Sequence, residues 1–373
     1  MRKTARGQQR RGPLYPAVPV AGDPGRLTRA LCFPAADRRP SPGPAVSCLG
    51  RHDSGESLLL TGSPMTDTSS LSRVRASLIL LLVAFIWGTT FVAQKTAFET
   101  TSGPALGPLT FTGLRFLLGA LVVLPFALRE RQSGGGTPMP TATLGVFALL
   151  GALLFVASMT QQVGILQTSV TNAGFLTALY VPLVPVIALA VFRQPVRRTV
   201  WVGALGCVAG TWFLTGGLAG ASLNTGDLWV MLSALFWAMH VMSVGILVVR
   251  SRRPVTLALV QFLACGVLSL IGAFLVETPS WPVIAGAWGE ILYAGVLSVG
   301  VAYTLQVVAQ RHTPAAAAAL IMSTETVFAA LSGAVVLGER LSMVQGVGAA
   351  LILASILVVE LGAALGARRA ALR

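Results

Sequence analysis

The chain has 373 residues, of which 54% are hydrophobic and 11% charged, and its formal net charge is +14. Soluble proteins carry roughly 25% charged residues, so this composition, with its strongly positive mean hydropathy, excludes an ordinary water-soluble domain and describes a polytopic membrane protein. The excess charge does not indicate nucleic acid: ten of the 27 basic residues fall in the first 64 positions, most others flank apolar runs, and no basic stripe carries interleaved aromatics.

Residues 1–64 are rich in Arg, Pro, Gly and Ser and show no sustained apolar period. Such a segment cannot bury a core and is expected to be disordered. Leu58–Leu60 is too short for the apolar region of a secretory signal. Met65 opens MTDTSSLSRVRASLILLL, a short polar tail running into an apolar helix, and is an alternative start. A chain begun there is expected to insert and work like the longer one.

Crossing a bilayer takes about 20 apolar residues in a helix. Ten such segments follow, at 76–97, 108–128, 141–163, 170–192, 198–217, 227–249, 255–276, 286–309, 314–337 and 343–364. Gly, Pro and charge separate them, as in SGGGTPMP at Ser133–Pro140 and RSRRP at Arg250–Pro254. The expected fold is therefore an all-α polytopic membrane protein with ten transmembrane helices. With the N-terminus in the cytoplasm, the inner segments hold fourteen arginines and the outer loops only Arg340, with Lys95 at the outer end of the first helix. That asymmetry follows the positive-inside rule and puts both termini in the cytoplasm.

The chain also repeats itself. Thr168–Arg197 matches Thr313–Ser342 at an offset of 145 residues, pairing Tyr180 with Glu325 and Gln194 with Glu339. At the same offset Ser158 pairs with Tyr303, Gln161 with Gln306 and Gly203 with Gly348. Val83–Gln94 matches Ser233–Val244 at an offset of 150, pairing Trp87 with Trp237. The repeats are expected at 75–217 and 227–366, followed by a basic tail at 367–373. Five helices per repeat is an odd number, so the second repeat must be inserted upside down relative to the first. Inverted repeats of this kind underlie many carriers.

Four stretches carry a family resemblance: AFIWGTTFVAQK at Ala84–Lys95, LRF at Leu114–Phe116, LYVPLVP at Leu179–Pro185 and STETVFAALSGAVVLGERL at Ser323–Leu341. Together, in order, they resemble the drug/metabolite transporter superfamily, and within it the ten-helix EamA type, over roughly Arg75 to Leu365. The resemblance implies a cell-membrane secondary carrier, often an exporter, of small metabolites such as amino acids and related amphiphilic compounds. One departure stands out. The first repeat reads FRQPV at Phe192–Val196, where the second has LGERL.

Polar side chains in spans normally face a bundle interior or a wet cavity. Helical spacing groups them: Trp87, Thr90 and Gln94 on the first segment; Ser158 and Gln161 on the third; Thr177 and Tyr180 on the fourth. In the second repeat the groups are Trp237 and His240 with Ser233, Tyr303 and Gln306 with Gln310, and Glu325. A cavity built from these faces has aromatic walls, hydrogen-bonding groups and little fixed charge. The competing reading is interhelical packing, and it applies to His240 most directly. Glu325 lies near mid-depth, where a carboxyl is costly to leave charged and is able to hold and release a proton; substrate or proton contact and a structural hydrogen bond are its two readings. Arg115 is read as a topological anchor, or as part of an outer charge cluster with Lys95 and Glu99. Glu339–Arg340 reads as a loop turn, and Gly203, Gly206 and Gly210 as a close-packing face.

Cys32, Cys48, Cys207 and Cys265 have neither metal-ligand nor disulfide spacing. No phosphate loop, metal cluster or nucleophile with a partner base is present in the sequence pattern, so no catalytic residue, metal or cofactor is expected. The expected partners are a small-molecule substrate and the lipid bilayer, with a homodimer left open. A non-transporting membrane scaffold is the alternative function, though it would need neither the duplication nor the polar internal faces.

Overall fold

The computed structural model describes residues 68–98, 106–133, 138–191, 193, 195–214, 224–340 and 342–371, all within one compact unit, Ser57–Arg373. The expectations for residues 1–64, for Glu99 and for Gln194 lie outside the described residues. The first repeat contains α1 (Thr68–Thr96), α2 (Pro108–Ser133), α3 (Thr141–Ile165), α4 (Val170–Thr177), α5 (Tyr180–Ala190) and α6 (Arg198–Leu214). The second contains α7 (Thr225–Ser251), α8 (Pro254–Val276), the short α9 (Trp281–Gly286) and α10 (Trp288–Leu292), a π-helix at Tyr293–Tyr303, α11 (Thr304–Ala309), α12 (Ala315–Met322), α13 (Glu325–Val336) and α14 (Met343–Ala371). All described secondary structure is helical.

Among the described residues, eight stretches are long and apolar enough to cross a bilayer. The fifth and tenth expected segments are present as the 17-residue α6 and the apolar Met343–Val359 of α14. Large apolar side chains face outward along the spans, with Leu149, Phe274 and Val335 each more than 70% exposed. An apolar surface of that extent suits lipid and not water. The chain is a multi-pass membrane protein.

Each interface between the repeats occurs twice. α1 packs on α13 and the π-helix, while α7 packs on α4, α5 and α3. α2 packs on the π-helix as α8 packs on α3; α2 also meets its own counterpart α8, and α6 meets its counterpart α14. The α2–α8 pair fixes the relative direction of the repeats. Glu130, near the end of α2, accepts from the backbone N–H groups of Val255 (3.1 Å) and Thr256 (2.8 Å) at the start of α8, and from the Thr256 hydroxyl (2.6 Å). Glu277, the C-cap of α8, accepts from the N–H groups of Leu109 (2.7 Å) and Thr110 (2.8 Å) at the start of α2, and from the Thr110 hydroxyl (2.6 Å). Each helix therefore begins where the other ends, and equivalent helices run antiparallel. These carboxylates satisfy orphan N–H groups and sit at the positive ends of the helix dipoles.

The fourth and ninth segments are not continuous helices. The fourth breaks at Ala178–Leu179, directly before Tyr180, and the ninth at Ser323–Thr324, directly before Glu325. Pro182 and Pro185 lie just beyond the first break and contribute to it. No proline lies at the second. There the hydroxyls of Ser323, Thr324 and Thr326 donate to the carbonyls of Leu320, Ile321 and Ser323, a side-chain competition that bends helices. The glycine face forms as read: a Cβ on Gly206 would meet Ser355 of α14 at 2.1 Å, and one on Gly210 would meet the Gly348 carbonyl at 2.8 Å.

Candidate functional site

The two breaks bring their residues to one cavity. Tyr180 opens α5 and Glu325 opens α13. The Tyr180 hydroxyl donates to the Ala319 carbonyl at 3.3 Å. Both residues line a central cavity of about 40 Å³, room for water and little more in this conformation. α1 contributes Trp87, Thr90, Phe91 and Gln94, α2 Arg115, α3 Gln161 and α4 Thr177. α7 contributes Trp237 and Val241, the π-helix Ser298 and Tyr303, and α11 Gln306.

Tyr303 sits at the centre of the aromatic wall. Its ring centroid is 4.6 Å from that of Trp87 and 6.1 Å from that of Trp237, the two tryptophans paired by the repeat, and 5.9 Å from both Phe116 and Phe262. The Trp87 indole N–H donates to the Ser298 carbonyl at 3.4 Å. Long π-helical runs are rare and tend to mark functional segments. This one spans 11 residues and carries both Ser298 and Tyr303.

Of the fourteen residues grouped by helical spacing, ten line the cavity. Ser158, Ser233, His240 and Gln310 do not. Ser158 is fully buried in the packing of α3. His240 lies one step around α7 from Trp237, edge-on to its ring at 5.8 Å, with Nε2 2.9 Å from the Gln261 side-chain oxygen on α8. Gln161 donates to Thr177 at 2.9 Å, tying α3 to α4.

Arg115 is where the sequence reading and the structure part. The anchor reading has its head reaching toward the outer interface. Instead it is 4% exposed, turned inward onto the cavity, donating to the Gln94 side-chain oxygen at 2.6 Å. Its guanidinium stands 5.3 Å and 5.2 Å from the ring centroids of Phe111 and Phe116. Arg is well suited to such an environment because it packs on rings while keeping donors free. Lys95 joins no cluster with Arg115; it donates to the Ile165 and Thr168 carbonyls. Phe91, Val241 and Ser298 were also missed. The first two are one turn from Gln94 and Trp237 and looked like ordinary packing, and Ser298 contributes a backbone carbonyl.

Several buried polar atoms around the cavity have no hydrogen-bond partner among the described residues: both ends of the Gln306 amide, the Trp237 indole nitrogen and the Arg115 Nε. Buried polar groups are normally paired. Here unpaired donors and acceptors, one guanidinium and one carboxyl share an aromatic-walled chamber lined by helices of both repeats. Among the described residues no group of three His, Cys, Asp or Glu is placed to hold a metal, and Cys207 and Cys265 are buried free thiols.

Comparison with known proteins agrees. The profile of the EamA-like transporter family matches residues 74–216 and again 224–361, and the chain belongs to that family. It is 32% identical to an uncharacterized transporter of Archaeoglobus fulgidus over 291 residues, covering 78% of this chain and 87% of that protein. It is 27% identical to the threonine/homoserine exporter RhtA of Escherichia coli K12 over 304 residues, covering 78% and 92%. One crystal structure superposes with a TM-score of 0.63 at 22% identity, over 79% of this chain and 98% of the other, a likeness of fold.

Proposed function

We propose that the protein is a secondary carrier that moves a small zwitterionic metabolite of the amino-acid type across the cell membrane, outward, by alternating access between its two repeats. Both termini are cytoplasmic in this reading, as the arginine distribution favours. The observation that carries it is the presence of Arg115 and Glu325 on one small, aromatic-walled cavity that also holds unpartnered polar atoms. A guanidinium is the natural partner of a carboxylate, and a carboxylate of an ammonium group. The aromatic faces of Trp87, Trp237 and Tyr303 supply the wall for the rest of the solute. The similarity to a threonine/homoserine exporter supports the same substrate class.

Purified protein in vesicles preloaded with unlabelled solute is the test. Labelled neutral amino acids should accumulate by counterflow and saturate. Arg115→Gln should weaken apparent affinity about tenfold or more, the usual consequence of losing one charge-assisted hydrogen bond, and should spare analogues that lack the carboxylate. No counterflow across a broad panel of zwitterions, with flux of unrelated solutes intact, would overturn the substrate class.

A further inference from the structure

The two ends of the bundle are built from equivalent elements, and they differ. At one end α1, α3 and α13 finish and α4 and α7 begin. Lys95 Nζ donates to the carbonyls of Ile165 (3.3 Å) and Thr168 (3.1 Å), capping the end of α3. The Thr168 hydroxyl donates to Asp227 Oδ1 at 2.6 Å, and Asp227, 2% exposed, is itself held in the capping box of α7. Glu339 reaches across from the turn after α13 to accept from the Val170 N–H (3.2 Å) and from the Thr171 hydroxyl at the start of α4. It does not simply close its own loop. Gly333 makes room for that carboxylate, since a Cβ there would stand 2.8 Å from it. α3 and α7 close the same end by backbone contact: a Cβ on Gly164 would meet the Gly226 carbonyl at 2.7 Å.

Applying the repeat offsets gives the residues at the opposite end. Lys95 becomes Gly245, Asp227 becomes Ser77, Thr171 becomes Ala316 and Glu339 becomes Gln194. The ammonium group and both carboxylates are gone. Thr168 alone is kept, as Thr313, and the Thr313 hydroxyl is buried without a hydrogen-bond partner among the described residues. Two adjoining openings lie there. One, of about 480 Å³, is lined by Gly245, Gln310 and Thr313. The other, of about 210 Å³, is lined by Pro195, Thr313 and Ala315. Val241 lines the central cavity and Gln310 the larger opening, and the Gln310 side chain donates to the Val241 carbonyl at 3.1 Å.

We infer that Lys95, Thr168, Thr171, Asp227 and Glu339 form the gate that shuts one end of the transport path, and that the other end, whose equivalent sequence positions carry none of these charges, closes by different means. In this conformation the Thr168 end is shut by that gate, and the Thr313 end carries the two openings. Breaking the Glu339 and Asp227 links to the α3–α4 turn is the step that exposes the cavity to the other side. The inference rests on the carrier reading above.

The test uses full-length protein with its four native cysteines replaced, in membrane vesicles of each orientation. Cysteines introduced as Phe91→Cys and Met242→Cys report access from the two ends. With the gate intact, an impermeant thiol reagent should modify Met242→Cys from the Thr313 end and leave Phe91→Cys untouched from the Thr168 end. Thr168→Val combined with Glu339→Gln should raise labelling of Phe91→Cys from the Thr168 end by about tenfold or more. Unchanged labelling in that variant, with size-exclusion behaviour like the parent, overturns the assignment. A second variant, Thr171→Cys with Glu339→Cys, is bridged by a short cleavable crosslinker. Transport should stop on bridging and return on reduction; undiminished transport while bridged also overturns the gate. Labelling needs no substrate, so a protein that labels as expected yet moves no solute counts against the carrier reading and in favour of the gate.

Discussion

Glu325 and Gly88 meet at one point, where the close approach of α1 brings a backbone against the start of α13. A Cβ on Gly88 would stand 2.7 Å from the Glu325 carbonyl and 2.9 Å from the Ala329 nitrogen, both rigid helix atoms. Gly88→Ala must push α1 from α13, at a cost of about 1–3 kcal/mol by analogy with overpacked cores. Thermal unfolding in detergent should register that loss, and transport should fall with it because Trp87 and Thr90 ride on the same turn. A Gly88→Ala variant as stable as the parent would show that the two helices are not held at this distance. Glu325 separates by a different pair of substitutions. Glu325→Gln keeps size and most hydrogen bonding and adds no charge to the bilayer, so folded protein should be recovered in normal yield. It should lose any response of transport to an imposed proton gradient, or lose affinity for solutes with an ammonium group. If the Glu325→Gln variant behaves like the parent in both while Glu325→Ala fails, the carboxyl is structural.

Residue by residue, the cavity was readable to the extent that polarity betrays an inward face. Trp87, Thr90, Gln94, Tyr180 and Glu325 recur at helical spacing inside apolar runs, and all line the chamber. Arg115 was misread because a long side chain near a helix end is able to reach either lipid headgroups or the interior, and sequence does not say which. His240 and Ser158 share the spacing but face neighbouring helices. A rotation of one residue position around a helix decides such cases, and it is set by packing.

At the level of elements, the clasp between α2 and α8 was written plainly in the sequence and went unread. Pro-x-Thr opens both helices, at Pro108–Thr110 and Pro254–Thr256, and a glutamate lies at the end of each, Glu130 and Glu277. Proline suits the first helical turn, and the threonine hydroxyl adds a third bond to each carboxylate. Replacing Glu130 or Glu277 by Gln should cost about 1–3 kcal/mol each, from loss of a charge-assisted interaction with helix N–H groups. The two clasps lie at opposite ends of the pair, so the double variant should show the sum of the single effects. Near-zero effects in denaturation of both single variants would mean that apolar packing alone holds α2 against α8. The helix breaks were only half legible. Pro182 and Pro185 announce the first, but the second comes from hydroxyls that look innocuous in an alanine-rich run. The π-helix has no sequence mark that distinguishes it from α3, its counterpart.

For the whole molecule, the duplication and the ten segments followed from hydropathy and periodicity, because a lipid-facing helix must be apolar over a fixed length. The inverted relation followed from an odd number of segments and is seen physically in the antiparallel α2–α8 pair. What a one-dimensional comparison does not deliver is the difference between the ends. Glu339 looked like a residue of its own turn, and only its contact with Val170 and Thr171 shows that it bridges segments. Orientation in the membrane gives a further check: a cysteine at Ser342 should react with an impermeant reagent from outside intact cells, and one at Ser251 should not. The reverse pattern would invert the assignment of both termini and the proposed direction of transport.

The claim on which the account depends is that the cavity between Arg115 and Glu325 binds and moves a zwitterion. Counterflow of a labelled neutral amino acid into preloaded vesicles tests it directly, with parent, Arg115→Gln and Glu325→Gln measured side by side over a range of solute concentrations. The account predicts saturable counterflow in the parent and a half-saturating concentration raised about tenfold or more by Arg115→Gln. Glu325→Gln should change either affinity for the ammonium-bearing solute or the response to a proton gradient. Parent protein that carries zwitterions while both variants match it in affinity, rate and proton response would contradict that claim.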